Sequence, residues 1–155
     1  MQNNKEAASS YVAHGFKLCA VRGKKPFQDK WEQNPVTDLN LFDHNGIGLI
    51  HGLSGTCTLD IDNIEHTQIA LEAVGLNLAE LMRDGVRIES GRLNRSKLIY
   101  KAPVGIELKR HALNWPSEHN QKESDVVFEL RGGLTQDVLP PSIHPDTGNP
   151  YVWVG

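Results

Sequence analysis

The sequence predicts an α+β (α/β) domain, and three observations lead there. GIGLI (46–50), TCTLDID (56–62) and DVVFELRG (125–132) are apolar-rich runs bounded by glycine or polar residues, the mark of strands. HTQIALEAVGLNLAELMRD (66–84) spaces Ile69, Val74, Leu78, Leu81 and Met82 in a helical rhythm. The 155 residues, 39% of them hydrophobic and 23% charged, are enough for one soluble domain with its own core.

Taken in order, residues 5–14 (KEAASSYVAH) are helix-competent, with Gly15 as the stop. FKLCAV (16–21) reads as a strand. RGKKPFQDKW (22–31) follows as a loop carrying Arg22, Lys24, Lys25 and Lys30, fixed by Pro26 and anchored by Trp31. Its plain reading is a solvated basic turn; its functional reading is a phosphate-contacting loop. Thr37 or Asp38 caps a short helix running to about Phe42. Gly46–Ile50 is a strand, and His51–Gly55 is expected to be the hairpin that returns into the next strand at Asp60-Ile61-Asp62.

The helical stretch after Asp62 is one helix or two, broken near Gly75, with the leucines and Met82 in the core. VRIES (86–90) and the strand within RLNRSKLIYKAP (92–103) come next; Lys97, Ile99 and Lys101 share one face. HALNWPSEHNQKES (111–124) is polar and reads as loop. In DVVFELRG, Val126, Phe128 and Leu130 are assigned to the buried face, with Glu129 and Arg131 opposite. DVLPPSIHPDTGNPYVWVG gives a strand, a stiff Pro-Pro loop with His144, a turn and a last strand.

Composition bounds the functional classes. The formal charge of −3 gives no global pull toward nucleic acid, so such a role must rest on local patches. Cys19 and Cys57 form no CxxC, which fits a reduced, cytoplasmic setting without a disulfide framework or zinc ribbon. No apolar run approaches the ~18 residues of a membrane span, and the first ten residues lack a signal peptide's apolar core.

The chemistry gathers at Asp60 and Asp62. On a strand these two carboxylates share a face with Thr58, while Cys57, Leu59 and Ile61 point the other way into a core. Like charges that close repel, and a hard divalent cation such as Mg²⁺ or Mn²⁺ is the simplest occupant. A lone DxD is also common in loops and helix caps. Glu129 supplies a third acid if the strands are neighbours, making a site suited to in-line phosphoryl transfer. Asp137 is its rival but starts a strand from an exposed-looking turn, so Glu129 is preferred. Arg92, Arg95 and Lys97, after Ser90-Gly91, form either a basic wall for a phosphate or a solvated loop. His144 follows a rigid turn and reads equally as a nucleotide contact or a structural histidine.

The ordered series GKKPF…W, NGIGLIHGLSGTCTLDID, ESGRLNRSKLIYKAP and FELRGGLTQDVLPPSIHPDTGNPYVW resembles the bifunctional DNA primase/polymerase (prim-pol) N-terminal domain of the archaeo-eukaryotic primase superfamily. The resemblance covers nearly the whole chain. It implies an RRM-like mixed sheet plus a smaller α/β unit, with the active site in the cleft between them. It implies that Asp60 and Asp62 are the first metal motif and Glu129 the third, where many relatives have aspartate. The second motif usually ends in a histidine on the nucleotide's phosphates; here Lys97 stands in that place, preceded by Ser96. A lysine keeps the cation but not the histidine's geometry.

By that resemblance residues 1–155 are the catalytic domain of a primase-polymerase from a phage, plasmid or integrated element, the N-terminal part of a longer replication protein. The implied chemistry is template-dependent nucleotidyl transfer from NTPs or dNTPs, with Mg²⁺ or Mn²⁺ as cofactor. Asp60, Asp62 and Glu129 are the expected catalytic and metal residues; Lys97, Arg92, Arg95, Ser96 and His144 are the expected nucleotide contacts. Single-stranded DNA template and a C-terminal helical or helicase domain are the expected partners, with no membrane. Two alternatives stand beside this: a catalytically degenerate nucleotide- or nucleic-acid-binding module, and, more weakly, a metal-dependent nuclease.

Overall fold

The computed structural model describes residues 3–120 and 122–155. The reading of the extreme N-terminus at Met1 and Gln2, and of Gln121 within the polar segment, lies outside them. In chain order the elements are α1 (Asn4–Ala13), β1 (Leu18–Arg22), β2 (Lys25–Pro26), a 3₁₀ turn (Leu39–Asp43), β3 (Gly46–Ile50), α2 (His51–Ser54) and β4 (Thr56–Ile61). Then follow α3 (Ile64–Glu72), α4 (Leu78–Asp84), β5 (Val86–Glu89), β6 (Ser96–Lys101), β7 (His111–Pro116), β8 (Ser124–Arg131), β9 (Gln136–Leu139) and β10 (Val152–Val154).

Local chemistry accounts for the helix boundaries. Asn3, Asn63 and Asn77 each sit in extended backbone and accept the N–H three residues on, capping α1, α3 and α4. Asp38 does the same for the 3₁₀ turn through the N–H of Asn40. The long helical stretch is broken into α3 and α4 around Gly75.

The strands build two sheets, ordered β2-β1-β3-β9 and β10-β5-β6-β4-β8-β7. Every described pairing is antiparallel, where the resemblance implies a mixed sheet. The domain is therefore α+β, with few helices and two antiparallel sheets.

One core fills the space under the four-stranded sheet, with Leu18, Val21, Phe42, Ile47, Leu49, Ile50 and Leu139 all buried and α1 packed against it through Ala7 and Ala8. Each large side chain buried this way contributes about 1.5–3 kcal/mol of transfer free energy. Ile88 and Tyr151 join this core from the six-stranded side, so the two sheets share it. A second core of Ile61, Leu71, Leu78 and Leu98 lies between the six-stranded sheet and α3–α4. No described helix is long and apolar enough to cross a membrane.

Four local expectations are corrected. His51–Gly55 is not a hairpin: α2 turns there, Gly55 takes φ +65° as its cap, and β3 and β4 enter different sheets. The turn is what lets consecutive strands change layer. HALNWP is not loop but β7, an edge strand paired with β8 and bulged at Leu113/Asn114; an edge strand can be polar because one side of its ladder faces water. On β8 the buried residues are Val127 and Glu129, not the 126/128/130 set, because the face carrying Glu129 turns inward. Ile69 and Val74 of the helical stretch are exposed, while Leu71 and Leu78 are buried.

Candidate nucleotide and metal site

A cleft of about 290 Å³ lies between the two sheets. Its floor comes from β4 and β6 on one side and β9 on the other, and its rim from three loops. Register brings the floor together: Asp60 on β4 lies opposite Lys97 on β6 and opposite Glu129 on β8. Asp62 follows one residue beyond the end of β4, where its N–H and that of Asn63 both bond to the carbonyl of Val127.

The buried centre is Asp137, 4% exposed in the middle of β9. This corrects the expectation that it sits on an exposed turn. Its carboxylate accepts three hydrogen bonds and faces one further cation. Lys97 Nζ reaches Oδ1 at 2.5 Å and Arg131 Nε lies 3.3 Å from it, while Thr58 Oγ1 and His51 Nε2 donate to Oδ2 at 2.5 and 2.8 Å. The ring of His51 is fixed from its other side, where Nδ1 meets Thr56 Oγ1 at 2.8 Å. Burial by itself would raise Asp137, but Lys97, His51 and Arg131 hold it far below the carboxylate range. Burial lowers Lys97, and Asp137 with Asp60 outweigh it, so Lys97 is raised and stays an ammonium.

Asp60 behaves differently. Its nearest cation, Lys97 Nζ, is 4.0 Å away. Burial pushes its carboxyl up, Lys97 pulls it down, and the charges of Asp137 and Asp62 push it up again, for a net rise. A carboxylate crowded by two others in this way is stabilised by an added cation. Asp62 is partly neutralised by Arg95, whose Nη1 lies 2.5 Å from Oδ1. Asp60 and Asp62 therefore fit a hard divalent ion of the kind held by one or two carboxylates and completed by substrate phosphates and water. Among the described residues no cluster of three or more His, Cys, Asp or Glu side chains converges for a metal.

Glu129 does not line the cleft. It is 8% exposed, and Arg110 and Arg131 share its carboxylate at 2.5 and 2.8 Å. The hydrogen bond from Arg110 and the charge of Arg131 lower it against a smaller opposing effect of burial.

The same cleft also carries basic side chains. Arg92, Arg95 and Lys97 line it, as does Ser96, whose hydroxyl donates to Glu89 at 2.7 Å. Lys24, from the β1–β2 turn, reaches in from the opposite sheet with Asp146 4.0 Å away. Burial lowers Lys24, and after the opposing pull of Asp146 so do the nearby charges of Arg92, Lys97 and Arg95. The crowding of these four cations in one cleft favours an added anion there.

His144 completes this wall. It is 1% exposed, stacks on Tyr151 at 5.3 Å, and its Nδ1 accepts the backbone N–H groups of Asp146 and Thr147 at 3.1 and 3.3 Å. That assigns the proton of the neutral ring to Nε2. Burial, Lys24, Arg92 and Arg95 hold its pKa below the ordinary histidine value.

Of the residues singled out from sequence, the structure brings Asp60, Asp62, Arg92, Arg95, Ser96, Lys97 and His144 to one cleft and leaves Glu129 just outside it. Sequence reading missed Lys24 as a member, although it had marked that loop for phosphate, and misjudged Asp137. For Asp137 the available signal was its place in an otherwise apolar DVL run.

A family model described as bifunctional DNA primase/polymerase, N-terminal, matches residues 8–155. No curated protein matches the chain.

Proposed function

The chain belongs to the bifunctional DNA primase/polymerase N-terminal family, and from that premise we propose that it is a catalytic primase-polymerase domain. The reaction is template-dependent transfer of a nucleotide from an NTP or dNTP to a 3′-hydroxyl. The hydroxyl oxygen bonds to the α-phosphorus and pyrophosphate leaves. The observation that carries this reading is the make-up of one cleft, where Asp60 and Asp62 lie among four cations, Lys24, Arg92, Arg95 and Lys97.

In this reading Asp60 and Asp62 would hold Mg²⁺ or Mn²⁺, and Glu129, beside Asp60 in register but engaged by Arg110 and Arg131, would join them as third acid only on leaving those arginines. The ion, when bound, polarises the α-phosphate and stabilises the charge that develops on it. Lys97, Arg92, Arg95 and Lys24 neutralise the triphosphate, and the Nε2–H of His144 donates to it. Lys97 is held in place by Asp137, so its charge is positioned before substrate arrives, which is how electrostatic catalysis is most effective. Ser96 sets the start of β6 through Glu89, beside that wall. The substrates are thus DNA template and nucleotides.

A crystal structure with a nucleoside triphosphate and Mn²⁺ tests the assignment. Metal against Asp60 and Asp62 with phosphates on the basic wall supports it; phosphates bound elsewhere would overturn it.

The second reading is a degenerate module that binds nucleotide or nucleic acid without synthesis. The closed ion pairs of Lys97 with Asp137, and of Glu129 with two arginines, favour it. Metal-independent DNA binding with no incorporation would select it, and template-dependent incorporation would exclude it.

A further inference from the structure

Beyond the cleft, on the far side of the Asp62–Asn63 peptide, lies a second pocket of about 170 Å³ between the start of α3 and the end of β7. Its wall is shared with the cleft: Asp62 lines one, Asn63 and Val127 line the other, and both backbone N–H groups bond to the Val127 carbonyl. Trp115 stands in this pocket, 45% exposed although it is the largest side-chain type in the chain. The ring of His66, from the first turn of α3, lies against it with centroids 5.7 Å apart and a 36° tilt. The exposed Glu118 lies 3.7 Å from its Nε2.

Resting on the primase-polymerase reading, we propose that this pocket is a stacking site for one base of single-stranded DNA, with Trp115 and His66 as its platform. An exposed indole on a sheet edge offers a flat π-face of the kind on which single-stranded nucleic acid is held. The remaining lining argues for a base rather than a phosphate. Glu118 and Asp125 are carboxylates, which repel the backbone but accept from the exocyclic amino groups of adenine and cytosine. The position fits a strand that passes the cleft: Asn63, in the wall of this pocket, directly follows Asp62, in the wall of the cleft. The phosphates of such a strand run outside the pocket, and the basic groups of the cleft are left to the triphosphate.

The test is the affinity of a short labelled single-stranded oligonucleotide, measured by fluorescence anisotropy at fixed salt with EDTA present, for the wild type, Trp115→Ala, Trp115→Phe and His66→Ala. Circular dichroism checks folding of each. Trp115→Ala is expected to weaken binding roughly tenfold or more, the loss typical of one stacked base. Trp115→Phe keeps a π-face and is expected to stay within about threefold of wild type. Nucleotide binding in the cleft is expected to be unchanged in all three. Wild-type affinity in Trp115→Ala, or equal losses in the Ala and Phe variants, overturns the site. Primer extension at saturating template separates this from the parent reading. Extension that survives with Trp115 irrelevant sinks the platform alone. Trp115-dependent binding without any extension keeps the platform and sinks the polymerase.

Discussion

Lys97 and Asp137, forty residues apart in sequence, form a buried ion pair of 2.5 Å between the two sheets. It joins the layers and sets the charge of the cleft. Removing one partner leaves a buried charge unmatched, so Asp137→Asn is expected to lower stability by about 3–5 kcal/mol. Urea denaturation at neutral pH measures it.

The same carboxylate sets an acid sensitivity. Its folded pKa lies well below its ordinary 3.8. The stability it contributes is therefore complete above that value and is lost as pH falls below it. Thermal melts are expected to fall more steeply below about pH 4 in the wild type than in Asp137→Asn. Parallel slopes would show that Asp137 is not the titrating group.

Lys24 and Lys97 are both cations of the cleft but have different second roles. Lys97→Met strips Asp137 of its ammonium and is expected to reduce both stability and nucleotide affinity. Lys24→Ala loses only a loop cation and is expected to raise KM for nucleotide roughly tenfold, as for one lost charge-assisted hydrogen bond, with the melting temperature unchanged. Steady-state incorporation kinetics with thermal melts distinguish the two.

His144 permits a separation of structure from binding. His144→Ala leaves the N–H groups of Asp146 and Thr147 without their acceptor and is expected to destabilise by about 1–3 kcal/mol. His144→Asn places an amide oxygen near the position of Nδ1 and is expected to recover most of that stability. It has no counterpart of Nε2–H, so nucleotide affinity is expected to stay low. Recovery of both would show that the histidine is structural.

Glu129 is expected to be required despite its arginine partners. Glu129→Gln is predicted to reduce incorporation by about 100-fold, the scale of several kcal/mol of lost transition-state stabilisation. Arg110→Ala removes a partner that is 54% exposed and is expected to leave activity within about threefold. An active Glu129→Gln enzyme would confine the metal to Asp60 and Asp62.

How much of this was legible follows from the range of the forces involved. Periodicity and caps act within a few residues, so α1, the α3–α4 break at Gly75 and the strands carrying Asp60 and Lys97 could be read directly. The turn at His51–Gly55 looked like a hairpin because glycine serves both tight hairpins and helix ends. Only the second sheet decides between them. The polar residues of β7 hid a strand because one side of an edge needs no apolar cover. Asp137 was hard to read for the opposite reason: a buried carboxylate requires partners, and apart from Arg131 its own came from His51, Thr58 and Lys97, all distant in sequence. Gly48 shows the same limit. It is glycine in the β3 strand because a Cβ there would meet Cys19 Sγ and Gln136 Oε1 at 2.6 Å, a crowding that no local pattern displays.

The central claim is that the paired acids and crowded cations of one cleft carry out nucleotidyl transfer. It is tested most directly by primer extension on a single-stranded template with Mg²⁺ or Mn²⁺, comparing the wild type with an Asp60→Ala, Asp62→Ala double variant. The account predicts metal-dependent, template-directed extension by the wild type and none by the folded double variant. Equal extension by both proteins would contradict it.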